Sequence, residues 1–315
     1  MAEVTYIAGH TGLVGGALLR RLPDAITRTR AQLDLTNQQD VDDFFHDVQP
    51  QHVYLAAAKV GGISANAAYP ADFIRNNLAI QLNVIDAAYR YGCEKLLFLG
   101  SSCIYPRNAE QPIREDALLT SPLEPTNQWY AIAKIAGLKL CEAYRKQYGF
   151  NAVSVMPTNL YGPDDHFDSP DAHVIPMLVS RFYHAIRQGQ PVVTVWGSGK
   201  AKREFLHVDD LADALTTLMA RYDGDLINIG SGEEVTIREL AHMIADILNF
   251  RGEIRFDTSK PDGPPRKVVN SFRVRQLWRP RITLRDGLEE TCVRYVSRMG
   301  AVGSGRRLVH QVWSR

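Results

Sequence analysis

The chain is short of cysteine: four residues in 315, standing apart at positions 93, 103, 141 and 292. None forms a CxxC pair, which excludes a zinc ribbon or a small disulfide-stapled domain, and no metal site is expected. Unpaired thiols of this kind suit a reduced, cytoplasmic setting, where each reads first as a small buried hydrophobe. Charge of one sign is equally scarce, because 36 Lys and Arg against 35 Asp and Glu leave +1. That balance removes the electrostatic case for a nucleic-acid partner. Long apolar runs are missing too, and none approaches the ~18 residues that would span a bilayer, so no membrane partner is expected. Before the strand-like run Val4–Ala8 there is no charged prelude and cleavage site, which reads as no secretory signal. Internal repeats and low-complexity tracts are absent.

What is present is a large apolar fraction, 45% of residues, enough for one big lobe or a big lobe with a smaller one. Short apolar runs alternate with helical patterns through the first half. Strands are expected at Val4–Ala8, Ala25–Arg28, His52–Ala56, Lys95–Gly100 and Ala152–Met156. Helices are expected over Gly12–Leu22, from a capping box at Thr36–Gln39 to Val48, over Pro70–Tyr91 and over Gln128–Tyr148. Such alternation predicts a Rossmann-like, doubly wound parallel sheet in the α/β class. After Pro157 the pattern loosens. Gly162–Asp171 reads as a solvated acidic loop, His173–Gln188 as a helix and Val192–Trp196 as a strand. Glu204–Val208 is a strand, Asp209 and Asp210 cap a helix to Arg221, and Asp225–Ile229 is a further sheet strand. A second capping box, Thr236–Glu239, opens a helix, Glu253–Asp257 is a short strand, and Ser259–Lys267 is a proline-rich loop. This suggests a dinucleotide-binding domain over 1–160, completed by segments near 204–232, and a smaller, interleaved C-terminal substrate lobe over 161–296. Residues 297–315, rich in arginine, form a tail without a recognisable pattern.

Gly9-His10-Thr11-Gly12-Leu13-Val14-Gly15 follows the first strand and opens a helix. Glycines there permit a tight turn and bring helix N–H groups against a pyrophosphate. The end of the second strand, where an acid would hold the ribose of NAD, carries Arg28-Thr29-Arg30, with Asp34 later. A guanidinium pairs with a 2′-phosphate, so NADP is favoured, with Arg30 the nearer contact and Asp34 placed toward the adenine. Either arginine alone reads equally well as a solvated surface residue.

Tyr130 and Lys134 stand at i and i+4 on one helix face. A tyrosine becomes a useful acid–base once a neighbouring cation favours its phenolate. Ser101, at the carboxyl end of the fourth strand, lies where open α/β sheets do their chemistry. In extended backbone Cys103 points to the same side as Ser101, which makes it a candidate acid–base.

The glycine spacing and the Ser101, Tyr130, Lys134 set resemble the extended short-chain dehydrogenase/reductase family. Longer runs sharpen the likeness: Ala56–Gly62, Gly100–Pro106, Leu123–Asn127, Pro157–Pro163, His173–Pro176, Val195–Gly199, Arg203–Asp210 and Lys260–Gly263. They are similar to the family's GDP-sugar 3,5-epimerase/4-reductases over roughly residues 3–296. That resemblance implies epimerisation at C3 and C5 of GDP-4-keto-6-deoxy-D-mannose and NADPH reduction at C4 to GDP-L-fucose. It implies Cys103 and His173 as the epimerising pair, Cys103 the base, and Tyr130 as proton donor assisted by Ser101 and Lys134. For the cofactor it implies Gly9, Thr11, Gly12, Leu13, Val14, Gly15, Arg30, Asp34, Leu35, Ala57, Lys134, Pro157, Asn159, Leu160 and His173. For the GDP-sugar it implies Arg181, Trp196, Arg203 and Asp262, although core packing explains Trp196 almost as well. His10 and His207 keep an ordinary structural reading. The resemblance also implies a homodimer through a four-helix contact of the two long helices. It weakens near the end, where Asn270 and Leu277-Trp278-Arg279 replace an Asp and a Leu-Gly-Trp. Two alternatives stay open: a sister enzyme (colitose-type, or epimerase only), and a non-catalytic NADP-binding scaffold.

Overall fold

The computed structural model describes residues 3–169, 172–260 and 262–302. In chain order the first half gives β1 Thr5–Ala8, α1 Leu13–Arg21, β2 Ile26–Thr27, α2 Gln38–Val48 and β3 His52–Leu55. It continues with α3 Ile63–Ala68, α4 Pro70–Arg90, β4 Lys95–Leu99, α5 Gln128–Tyr148 and β5 Ala152–Pro157. The second half gives β6 Asn159–Tyr161, α6 Val174–Arg187, β7 Val192–Trp196, β8 Lys202–His207, α7 Val208–Arg221 and β9 Leu226–Ile229. It ends with β10 Glu234–Thr236, α8 Ile237–Ile247, β11 Glu253–Asp257, β12 Arg266–Lys267 and α9 Leu284–Val302.

Six strands form one parallel sheet in the order β2-β1-β3-β4-β5-β9, the arrangement expected of strands joined by helices. Alternation along β4 feeds both faces: Leu96 and Phe98 enter the core under α4 and α5, while Leu97 and Leu99 enter the core under α1 and α7. A third core lies among α6, α8, α9 and β7, around Phe182, Ile244 and Tyr295. The chain reverses direction across the sheet between β1 and β3, and ligands of open α/β sheets bind at such a switch point.

Several details depart from the pattern reading. Of residues 204–232, α7 and β9 return to the central sheet, whereas β8 pairs with β6, β10 and β12 in a second sheet. The proline-rich loop therefore ends in a strand, because Lys267 is held in register with Arg203. The cap of α2 is Asn37, whose side chain accepts from the Gln39 N–H, while Thr36 is drawn to Asp34 instead. Thr236 and Glu239 do form a full capping box. The last helix runs on to Val302, taking in the first residues of the expected tail; residues 303–315 lie outside the described residues. No described helix is long and apolar enough to cross a membrane.

Candidate active site

The glycine loop is built for close approach. Gly9 adopts φ +91°, and a Cβ there would lie 2.7 Å from the Ala57 backbone after β3. At Gly15 a Cβ would lie 2.1 Å from the Gly9 carbonyl, so the loop and the first turn of α1 can touch only as glycines. Gly12, the N-cap of α1, meets only the Gly9 oxygen at 3.5 Å and supplies no side-chain cap. The α1 amides, with no acid in the first turn, are thus left for an anion. His10 Nδ1 is buried there without a partner. These features fit a dinucleotide pyrophosphate beside Thr11, Leu13 and Val14. Leu35, whose carbonyl accepts from Asn83 at 3.0 Å, is the middle residue of an Asx turn. In that turn Asp34 accepts from the Thr36 amide and hydroxyl, bonds that hold its carboxyl below the usual range. Arg30 is exposed and only loosely paired with Asp34, at 3.9 Å. Arg28 lies against the Phe44 ring.

At the end of β4, Ser101 Oγ accepts from the Cys103 amide at 3.3 Å and caps a 3-10 turn over Ser102–Ile104. Cys103 is therefore not in extended backbone, and the alternation argument for its direction fails. The turn nevertheless leaves its thiol half-buried, with its charge acting on Tyr130, Lys134 and Lys267. The other three thiols are buried, and desolvation pushes each up to about 12.

Lys134 is 3% exposed, donates to the Leu99 carbonyl at 2.6 Å and stands 5.9 Å from the Tyr130 ring centroid. Burial pushes its ammonium down to about 8, partly offset by Cys103 and Cys141. For Tyr130, burial and then the charge of Cys103 raise the phenol well above its usual value. Burial thus opposes the phenolate expected from sequence.

His173 is the exposed N-cap residue of α6. Pro157 ends β5, and Asn159 and Leu160 lie on β6, with Asn159 donating to the Glu204 carbonyl of β8 at 2.8 Å. Trp196 is 57% exposed, so core packing does not account for it, and the Arg181 guanidinium stands 5.4 Å from its ring centroid. Half-buried Arg181 and Arg203 bond only to carbonyls: Arg181 to Thr194 at 3.1 Å, Arg203 to Pro264 at 2.7 Å and to Lys202. Neither has a carboxylate ion-pair partner among the described residues, and burial lowers both pKa values. Each is a desolvated guanidinium without a carboxylate ion pair, receptive to an anion. Asp262 accepts the Ser198 amide and hydroxyl at 2.6 and 2.8 Å, and its charge partly offsets the burial of Arg203. His207 caps α7 by accepting from the Asp209 amide.

Two groups in this neighbourhood escaped the sequence reading. Lys267 carries an ammonium pushed down by burial, with Cys103 and Glu124 acting against that and Arg203 with it. Asp165, expected in a solvated loop, is 8% exposed. Residue type gave no signal for either; pairing of β12 with β8 positions the first and loop packing buries the second.

Residues 5–230 match the model of the NAD dependent epimerase/dehydratase family. GDP-L-fucose synthase 1 of Arabidopsis thaliana is 57% identical over 91% of this chain and 91% of its own length. GDP-L-fucose synthase of Escherichia coli (strain K12) is 51% identical over 91% of this chain and 94% of its own. Among solved structures, a GDP-L-fucose synthetase from Naegleria fowleri bound to NADP is 27% identical, with TM-score 0.85 over 97% of both chains. With a match over most of its length and relatives above half identity, the chain belongs to the NAD dependent epimerase/dehydratase family.

Proposed function

We propose that this protein converts GDP-4-keto-6-deoxy-D-mannose to GDP-L-fucose by 3,5-epimerisation and NADPH-dependent 4-reduction. What supports this reading is the half-buried thiol of Cys103, on the turn capped by Ser101, whose charge acts on Tyr130 and Lys134, since a reductase alone has no need of a second acid–base there. The two GDP-L-fucose synthases at 57% and 51% identity support the same substrate.

In a 4-keto sugar the C3 and C5 hydrogens are acidic because the ketone stabilises the enolate. Cys103 removes a proton, and His173 returns one from the opposite face, inverting each centre. NADPH supplies the hydride that C4 requires. Tyr130 then protonates the C4 oxygen, and its raised pKa keeps the phenol protonated until that moment. Ser101 hydrogen-bonds the same oxygen, and Lys134 holds the nicotinamide ribose near Asn159 and Leu160. Arg181 and Arg203 clamp the diphosphate, and the Trp196 face packs on a flat ring, with Asp262 ordering the turn at its edge. NADP is favoured over NAD because Arg30 is free to swing onto a 2′-phosphate while Asp34 is occupied by Thr36. The division of labour is a cofactor domain over 1–160 and a substrate lobe over 161–296.

The outer faces of α4 and α5 expose Leu78, Leu82, Trp129 and Ile132. An apolar surface of that kind on two packed helices suits a four-helix contact with a second copy. The defining experiment supplies NADPH and GDP-4-keto-6-deoxy-D-mannose in heavy water. Oxidation of NADPH with deuterium at C3 and C5 is expected. Exchange without oxidation would mean an epimerase only, and neither would overturn the reading.

A further inference from the structure

We propose that Tyr105 is a positioning residue for Cys103, because the hydrogen bond from its buried hydroxyl to Asn228 fixes the turn that carries the thiol; the proposal rests on the function above. Tyr105 is the C-cap of the 3-10 turn over Ser102–Ile104. The bonds of the turn itself are long. The Cys103 amide meets Ser101 Oγ at 3.3 Å, the Ile104 amide meets the Ser101 carbonyl at 3.2 Å, and the Tyr105 amide meets the Ser102 carbonyl at 3.4 Å. Ordinary amide bonds cluster at about 2.9–3.0 Å. The Tyr105 hydroxyl, in contrast, donates to Asn228 Oδ1 at 2.6 Å, and both side chains are buried. Ile104 is buried in the core as well, but apolar packing has no direction. The hydroxyl bond is therefore the directional restraint on the outgoing end of the turn.

Asn228 is a firm anchor. It stands on β9, in register with Met156 of β5 in the central sheet. Its Nδ2 donates to the Ile113 carbonyl at 3.0 Å, which sets the amide so that Oδ1 faces Tyr105. Its main-chain amide donates to Glu115 Oε1 at 3.1 Å, and Glu115 in turn lies 3.8 Å from Arg273. The turn is thus referenced to the sheet. Proton abstraction at carbon needs the thiol in a near-attack position, where a shift of about 1 Å costs about 10²-fold. The reductase groups have other supports, since Ser101 lies at the incoming end of the turn and Tyr130 and Lys134 stand on α5. Loss of the hydroxyl therefore displaces Cys103 before it disturbs them.

The test is Tyr105→Phe, read by deuterium entry at C3 and C5 and, separately, by oxidation of GDP-L-fucose with NADP. The second readout runs the reductase step backwards without epimerisation. Exchange is expected to fall about 10- to 100-fold, while oxidation stays within about threefold. The single variant also orphans the buried Asn228 oxygen and should lower the thermal midpoint. Tyr105→Phe/Asn228→Leu removes that orphan, and the Ile113 carbonyl keeps the Asn270 amide at 2.7 Å. In the double variant the midpoint is expected to recover while exchange stays low, and this variant serves as the probe where the single one does not fold. Unchanged exchange, equal losses in exchange and oxidation, or exchange that recovers together with the midpoint would overturn the proposal. Wild-type enzyme that shows no exchange would instead overturn the function beneath it.

Discussion

Replacing Lys134 by Met separates what this residue does for the reaction from what it costs the fold. The ammonium is 3% exposed, and its pKa falls from 10.5 to about 8 on folding because burial disfavours the charge. At 1.36 kcal/mol per pH unit, that drop amounts to about 3 kcal/mol. The unfolded chain keeps its proton up to 10.5, whereas the folded chain releases it near 8. Between those values the unfolded state binds more protons, so this residue makes stability rise with pH, by about 2 kcal/mol at pH 9.5. Methionine fills similar space without charge and gives up the bond to the Leu99 carbonyl, a loss of about 1 kcal/mol. The variant is therefore expected to be about 2 kcal/mol more stable than the native chain at pH 7 and nearly equal to it at pH 9.5. Urea unfolding of the apo protein at both pH values measures the difference, and subtraction cancels the other titrating groups. NADPH oxidation by the variant is expected to fall by about 10²- to 10⁴-fold. A stability difference that is the same at the two pH values would refute the reasoning.

Three further outcomes are expected. Gly15→Ala drives a Cβ to 2.1 Å from the Gly9 carbonyl, so thermal shift should show a loss of about 1–3 kcal/mol and NADPH fluorescence titration little binding. Arg203→Ala removes a half-buried guanidinium from the anion clamp, and steady-state kinetics should show KM for the GDP-sugar up about 10- to 100-fold with kcat changed far less. If the proposed four-helix contact forms, the native chain sediments as a dimer and Leu82→Asp, at a side chain 53% exposed on α4, as a folded monomer.

The layers of the fold were readable because each strand and long helix carries its own period: β4 is apolar on both sides, and α5 was placed at Gln128–Tyr148 by pattern alone. Among the elements that escaped, β6, β10, β12 and α3 are two to six residues each and are set by partners distant in the chain, while the 19-residue α9 was not placed by pattern either. At the site, Tyr130 and Lys134 are i and i+4 neighbours on one helix, so sequence alone gave their proximity. Their electrostatics was not legible, since desolvation depends on what surrounds the helix. The direction of Cys103 was argued from extended backbone, whereas Ser101 caps a 3-10 turn there. Asp165 shares its composition with the solvated acids beside it, and only packing distinguishes it.

The central claim is that one site divides its work, with Cys103 moving protons at carbon and Tyr130 at oxygen. Deuterium entry at C3 and C5, compared between Cys103→Ser and Tyr130→Phe in the same heavy-water assay, tests this most directly. The account predicts that Cys103→Ser depresses exchange about 10²-fold or more, whereas Tyr130→Phe largely spares exchange and depresses NADPH oxidation. Exchange that survives in Cys103→Ser and disappears in Tyr130→Phe would contradict it.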